Sequence, residues 1–207
     1  MKRPPTGLSY DFIFPKLHGI WSRSVVGDTL HHLVQSARTE TLERALSGLD
    51  VDVSNRGEFQ KKLTEAHIDE LSRVARLLDQ RSATFYGSLI DRYFFENLKT
   101  ILHYHHFPNQ KVDIELLLTQ SESLPVLDVE RVASARNVNQ LFNALPPHPV
   151  KESMLPLLVE LDDTKDVFVA ESRLDRFYYG FLCDAARGLP RATRALGRKF
   201  VGMEIDL

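Results

Sequence analysis

Leu89-Ile90-Asp91-Arg92-Tyr93-Phe94-Phe95-Glu96-Asn97-Leu98-Lys99-Thr100-Ile101-Leu102 is the stretch that decides the class of the fold. Leu89, Ile90, Tyr93, Phe94, Leu98, Ile101 and Leu102 recur at steps of three and four, so they share one side of a helix. The stripe is wide, as a helix covered on more than one side requires. It predicts a helix from about Thr84 to Tyr104, and Pro108 ends the segment because proline lacks a backbone donor.

The same spacing spreads outward. Between Glu58 and Asp79, residues Phe59, Leu63, Ala66, Leu71, Val74, Ala75 and Leu78 line one face, with Asn55 and Glu58 as a capping pair. Between Asp163 and Arg187, residues Val167, Ala170, Leu174, Phe177, Tyr178, Phe181, Leu182 and Ala185 do the same. Gly188 and Pro190 then read as a stop, with Arg187 facing the negative helix end. Shorter helices are predicted over 25–36, 40–46, 114–118, 129–135, 138–145 and 151–161, and 49–53 reads as loop. There is no Asn-Gly hairpin signal and no glycine-rich strand-to-helix turn. The predicted class is all-α, built from repeated helical-bundle modules.

A repeat supports the modular reading. Val34-Gln35-Ser36-Ala37-Arg38 returns as Val132-Ala133-Ser134-Ala135-Arg136. Leu42-Glu43-Arg44-Ala45-Leu46 returns as Leu141-Phe142-Asn143-Ala144-Leu145. Each copy precedes a loop, a helix and a long aromatic-bearing helix. Two modules are expected, 1–107 and 108–207, each leaving an apolar flank for its neighbour to cover.

Composition narrows the function. The chain has 207 residues, 43% of them hydrophobic, which is enough for a packed core. A net charge of −2 argues against a dedicated nucleic-acid binder. Cys183 is the single cysteine, so no internal disulfide forms. Met1-Lys2-Arg3-Pro4-Pro5 is basic, but no apolar run follows it as in a signal peptide. The longest apolar runs fall far short of the ~20 residues of a membrane span.

Catalytic chemistry finds little support. His103, His105 and His106 cluster near a helix end, where positive histidines meet the helix dipole. A metal site there would need further ligands at workable spacing. The neighbours His31 and His32 point in different directions, one half-buried and one solvated. Glu171 and Asp175 share a helix face, a geometry that suits acid–base work. Arg173 and Arg176 nearby fit a solvated salt-bridge face equally well. Tyr93-Phe94-Phe95 and Phe177-Tyr178-Tyr179 read as core with hydroxyls at the rim, or as stacking platforms for bases. No nucleophile elbow or phosphate loop is present, and no cofactor or metal is expected.

One segment carries a resemblance. Glu96-Asn97-Leu98-Lys99-Thr100-Ile101-Leu102 resembles the signature helix of the C-subunit family of V-type and archaeal-type ATP synthases, to which the d-subunit of the V-ATPase belongs. Glu171-Ser172-Arg173-Leu174-Asp175-Arg176-Phe177-Tyr178-Tyr179 is similar to the family's Glu-x-x-Leu-Asp-x-x-Tyr-Tyr. Glu204-Ile205-Asp206-Leu207 looks like the start of a further Asp-x-x-Asn-Leu helix. Phe94 stands where the family usually has Asp, and His103 where Arg is common.

The resemblance implies a non-catalytic rotor component, cytoplasmic and peripheral to the membrane. Its partners would be the central shaft and the membrane proteolipid ring, with membrane contact only through the ring, during ATP-driven or ATP-generating proton or sodium transport. Family members normally have three modules in a pseudo-threefold funnel. Two are expected here, with an open edge that favours self-association, as in a fragment or a short form. The signature residues Glu96, Asn97, Leu98, Lys99, Thr100, Glu171, Leu174, Asp175, Tyr178, Tyr179, Glu204 and Asp206 are read as structural. The alternative is a stand-alone helical interaction protein outside any motor.

Overall fold

The computed structural model describes residues 10–23, 31, 35, 55–107 and 113–205, and those residues form helices and turns with no strand. Nine helices occur among them. They are α1 (Tyr10–Arg23), α2 (Arg56–Ala75), α3 (Gln80–His106), α4 (Ile114–Leu117), α5 (Val129–Ser134), α6 (Val138–Ala144), α7 (Lys151–Thr164), α8 (Val167–Gly188) and α9 (Arg191–Ile205). The all-α class expected from the spacing is the class that forms. The helices predicted over 25–36 and 40–46, with the first copies of the repeat and His32, lie outside the described residues apart from 31 and 35. His31 is exposed, with its Nε2 2.8 Å from Gln35 Nε2.

Helix boundaries follow the caps. Asn55 opens α2 by accepting the Glu58 N–H at 3.3 Å. α2 stops at Ala75, earlier than its apolar spacing predicts, because Asp79 already belongs to α3. The Asp79 carboxylate accepts N–H bonds from Arg81 at 3.0 Å and Ser82 at 3.2 Å. The Ser82 hydroxyl donates to it at 2.6 Å, and together these bonds hold the carboxyl below its usual range. The helix expected from Asp163 instead begins at Val167. Lys165 takes the left-handed conformation at φ 57°, its N–H reaches the Leu161 carbonyl, and Asp166 caps α8 through the Val169 N–H at 3.1 Å. α7 therefore runs on to Thr164.

Two helices were not expected. α1 contains Pro15, which breaks the pattern of hydrogen bonds that periodicity implies. α9 follows the Gly188–Pro190 corner directly, so that corner turns the chain without ending the helical region. α9 escaped notice because Leu196, Phe200 and Met203 face outward and only Gly197 and Val201 are buried. It packs closely on Leu189: a Cβ on Gly197 would lie 2.3 Å from Leu189 Cδ1, so a larger residue there would make that leucine side chain turn aside.

α3 and α8 form the axis of the molecule and make the most extensive helix contact. They run antiparallel, since Lys99 pairs with Asp175 and His103 with Glu171. α2 packs on α3, α7 and α9 on α8, and α6 on α7, while α4 bridges α2 and α3. The core draws on both sides of residue 107: Phe94, Phe95, Leu98, Ile101 and Leu102 of α3 join Met154 and Leu157 of α7 and Leu174 and Leu182 of α8. Burying each such side chain contributes about 1.5–3 kcal/mol, which explains why the sequence puts its widest apolar stripe on α3.

Candidate functional site

The polar side chains that matter lie along the α3–α8–α9 seam. Asn97 comes inward with Leu98 on the buried side of α3 and is only 2% exposed. Both ends of its amide are used: Nδ2 donates to the Thr119 carbonyl at 2.7 Å, and Oδ1 accepts the Thr119 N–H at 2.8 Å. A buried amide paired twice with one backbone unit fixes the stretch after α4 against α3.

Two residues on, Lys99 bridges two helices. Its Nζ lies 2.7 Å from Asp175 Oδ1 on α8 and 3.1 Å from Glu96 Oε1 on α3. Burial alone would lower its pKa, but the hydrogen bonds to Asp175 and Glu96 outweigh that and hold it above the ordinary value. The Thr100 hydroxyl is spent on the Glu96 carbonyl at 3.0 Å. His103 Nε2 lies 2.7 Å from Glu171 Oε1. Glu171 and Asp175 thus reach across to α3, and Arg173 instead binds Glu160 of α7 at 3.0 Å. That corrects the expected carboxylate–arginine face along one helix. Leu98 and Leu174 are fully buried beneath the seam.

The third helix joins through Glu204. Its carboxylate receives Arg92 of α3 at 2.9 Å, and its backbone carbonyl accepts the Tyr179 hydroxyl of α8 at 3.0 Å. Tyr178 packs inward at 5.6 Å from Phe95. Its hydroxyl is buried without a hydrogen-bond partner among the described residues, and burial pushes its pKa well up. Asp206 lies outside the described residues. Of the signature residues, the structure brings Glu96, Asn97, Lys99, Glu171, Asp175, Tyr179 and Glu204 into contacts that cross between elements or anchor one that does.

The histidine cluster disperses. His103 faces Glu171, while His105 meets the Val132 carbonyl at 2.9 Å and burial lowers its pKa. His106 packs edge-on to Phe107. No group of three metal-ligating side chains converges among the described residues.

Sequence reasoning missed Asp91 and His148. His148, in the turn before α7, sits among Phe94, Phe95 and Phe181, with centroids 4.7, 5.9 and 6.2 Å away. Its Nδ1 accepts the Val150 N–H at 3.2 Å, so the neutral ring carries its proton on Nε2, 4.0 Å from Asp91 Oδ2. Burial lowers the pKa of His148 and pushes that of Asp91 up to about 6. A sequence signal existed. Ile90-Asp91-Arg92-Tyr93-Phe94-Phe95 returns as Leu174-Asp175-Arg176-Phe177-Tyr178-Tyr179, and both copies show the same order of buried and exposed positions through the second aromatic.

These features define an all-α scaffold in which three long helices are tied by side chains that reach across rather than converge on a reacting atom. The sequence pattern of the ATP synthase (C/AC39) subunit matches residues 28–207, and the chain belongs to that family, a subunit of V/A-type rotary ATP synthases. No curated protein and no solved structure matches the chain. No described helix is long and apolar enough to cross a membrane.

Proposed function

We propose that the chain is a non-catalytic central-stalk subunit that joins the shaft of a rotary ATPase to its membrane proteolipid ring. It would sit at the cytoplasmic face, with membrane contact only through the ring and with no cofactor. The observation that carries this reading is the seam itself. The three signature segments lie on three helices and tie to one another through Lys99–Asp175, His103–Glu171 and Glu204 with Arg92 and Tyr179. A joint that transmits torque must be stiff, and close-packed helices locked across their boundaries resist shear. We read the signature residues as structural, and the halves 1–107 and 108–207 as two diverged modules. The test is pull-down with detergent-solubilised proteolipid ring and with purified shaft subunits. Stoichiometric capture by both supports the adaptor, and capture by neither overturns it.

A second reading is a stand-alone helical interaction protein that has kept the fold. The outward apolar residues Leu196 and Met203 on α9, 70% and 65% exposed, favour it as far as they show a surface suited to partners. Co-purification from native membranes separates the two. Motor subunits in the eluate favour the first reading, and their absence beside another stoichiometric protein favours the second.

A further inference from the structure

The pairing of α3 with α8 leaves one place unfilled. Lys99 meets Asp175 and His103 meets Glu171, so each step along α3 matches a step back along α8. Carried on, that register brings Asp91 level with Cys183. The sequence repeat gives the same correspondence: Asp91 matches Asp175, and eight residues further on in the two copies stand Lys99 and Cys183. Asp175 therefore receives an ammonium from the opposite helix, whereas Asp91 lies level with a residue that cannot supply one. The Asp91 carboxylate accepts no hydrogen bond among the described residues.

Beside Asp91 lies a cavity of about 430 Å³. Its polar lining on α3 offers lone pairs. Thr84, Ser88 and Asp91 share one face of that helix at steps of four and three. The Thr84 and Ser88 hydroxyls donate their protons to the Gln80 and Thr84 carbonyls, at 2.8 and 3.1 Å, so their oxygens are left to accept. Phe181 of α8 adds an aromatic ring, and Asp184 is already bound to Arg187. Two side-chain donors border the space. Arg81 stands ten residues before Asp91, ~15 Å away along the helix. His148, its side chain 9% exposed, turns Nε2 toward Asp91 at 4.0 Å and makes no hydrogen bond through it among the described residues.

We propose that this cavity is a binding site for a primary alkylammonium group, the group that a lysine side chain carries. An ammonium has three N–H donors and no acceptor. That matches a free carboxylate flanked by two hydroxyls whose protons are spent. The Phe181 ring would cover the alkyl stem and attract the charge with its face. A metal ion is a poorer match. No three metal-ligating side chains converge among the described residues, and His148 presents a proton at Nε2 where a metal needs a lone pair. The inference rests on the cavity and holds whether or not the chain joins a shaft to a ring.

The test titrates the isotope-labelled full chain with n-butylammonium at pH 7.5 and fixed ionic strength, followed by NMR. The Asp91 carboxyl carbon and the His148 ring should shift saturably, with a dissociation constant on the order of 1 mM. Asp91→Asn should weaken binding about tenfold or more, because it removes the charge from the hydrogen bond. Ala185→Lys should weaken it as much, since residue 185 lines the cavity and the new side chain fills it. n-Butanol, the same stem without charge, should bind about tenfold more weakly. A short acetylated peptide with one central lysine, set against cadaverine, separates the sources. Tighter binding of the peptide assigns the site to a lysine of a partner protein, and equal or tighter binding of cadaverine assigns it to a free amine; both support the site. The proposal is overturned by shifts that do not saturate, by undiminished binding to Asp91→Asn or Ala185→Lys, or by butanol matching butylammonium. Shifts of equal size at exposed acids such as Asp162 and Asp163 also overturn it, because the amine then only screens surface charge.

Discussion

Asp91 and Asp175 occupy the same slot of the same six-residue pattern, one on α3 and one on α8, yet they meet different surroundings. Asp175 receives the Lys99 ammonium at 2.7 Å, with His103–Glu171 one turn along and the Asn97–Thr119 clasp behind it. Asp91 opens on a cavity of about 430 Å³ between α3 and α8, bordered among others by Arg81, His148, Phe181, Asp184 and Ala185. Its nearest ring nitrogen is 4.0 Å away on a histidine held neutral by its surroundings. One end of the helix pair is closed by charge, and at the other a carboxyl is desolvated with no lysine or arginine in ion-pair contact among the described residues. A repeated sequence fixes where a side chain points. The neighbouring helix decides whether a carboxylate there is satisfied.

The largest effect comes from breaking the closed end at Asn97. Asn97→Ala removes both bonds to Thr119 and strands a buried N–H and carbonyl, at an expected cost of about 2–4 kcal/mol in urea denaturation. A loss below about 0.5 kcal/mol would show that the strand of chain after α4 is held by packing alone.

That clasp also marks the limit of what the sequence discloses. The apolar spacing of α3 and α8 read correctly because burial imposes a period on side chains, and Leu98, Ile101, Leu174 and Leu182 all land inside. Asn97 was visible as a signature residue, but its partner is the backbone of Thr119, and a backbone group leaves no trace in composition. Likewise, pairing within a helix can be read from spacing, whereas the reach of Glu171 to His103 depends on how α3 and α8 cross. α9 stayed hidden because it turns Leu196 and Phe200 outward, against the rule by which periodicity is read.

Lys99→Met tests the closed end at its charge. The methionine keeps most of the buried stem and leaves Asp175 and Glu96 without their ammonium. Lys99 is 16% exposed while its two partners are about half exposed, so the expected loss is about 1 kcal/mol, shrinking at high salt. In an Asp175→Asn background the loss should fall by about half, as a double-mutant cycle would read. Equal loss in both backgrounds would assign the effect to packing of the stem.

The open end should respond to pH. The Asp91 carboxyl is raised from 3.8 to about 6 by burial, so between those values the native state holds a proton that the unfolded chain has released. The stability from this residue is therefore full below pH ~4 and falls as pH rises through ~6. His148 acts in the other direction. With its pKa lowered by burial, the native ring stays neutral while the unfolded ring takes a proton, so its contribution is lost as pH falls below 6.5. Asp91→Asn should leave stability unchanged near pH 4 and raise it near pH 7. With 37% of the Asp91 side chain exposed, solvent screening keeps that gain below about 1 kcal/mol. The variant should also expose the His148 slope that Asp91 masks in the wild type. A gain as large at pH 4 as at pH 7 would mean that the effect is not ionisation.

The smallest change supplies the open end with the cation that the other end has. Ala185 borders the Asp91 cavity, and a lysine there can run its stem along Phe181 and bring its ammonium to the carboxyl. Ala185→Lys is expected to stabilise the chain by about 0.5 kcal/mol at pH 7, in the range of partly exposed pairs. It should also draw the Asp91 carboxyl down from about 6 toward the ordinary range, followed as a carboxyl carbon titration by NMR. Both effects should vanish in the Asp91→Asn background, because the ammonium then has no charge to meet. If instead Ala185→Lys destabilises equally with and without Asp91, the cavity cannot hold the stem. The two aspartates would then differ in the space around them, not merely in the absence of a cation.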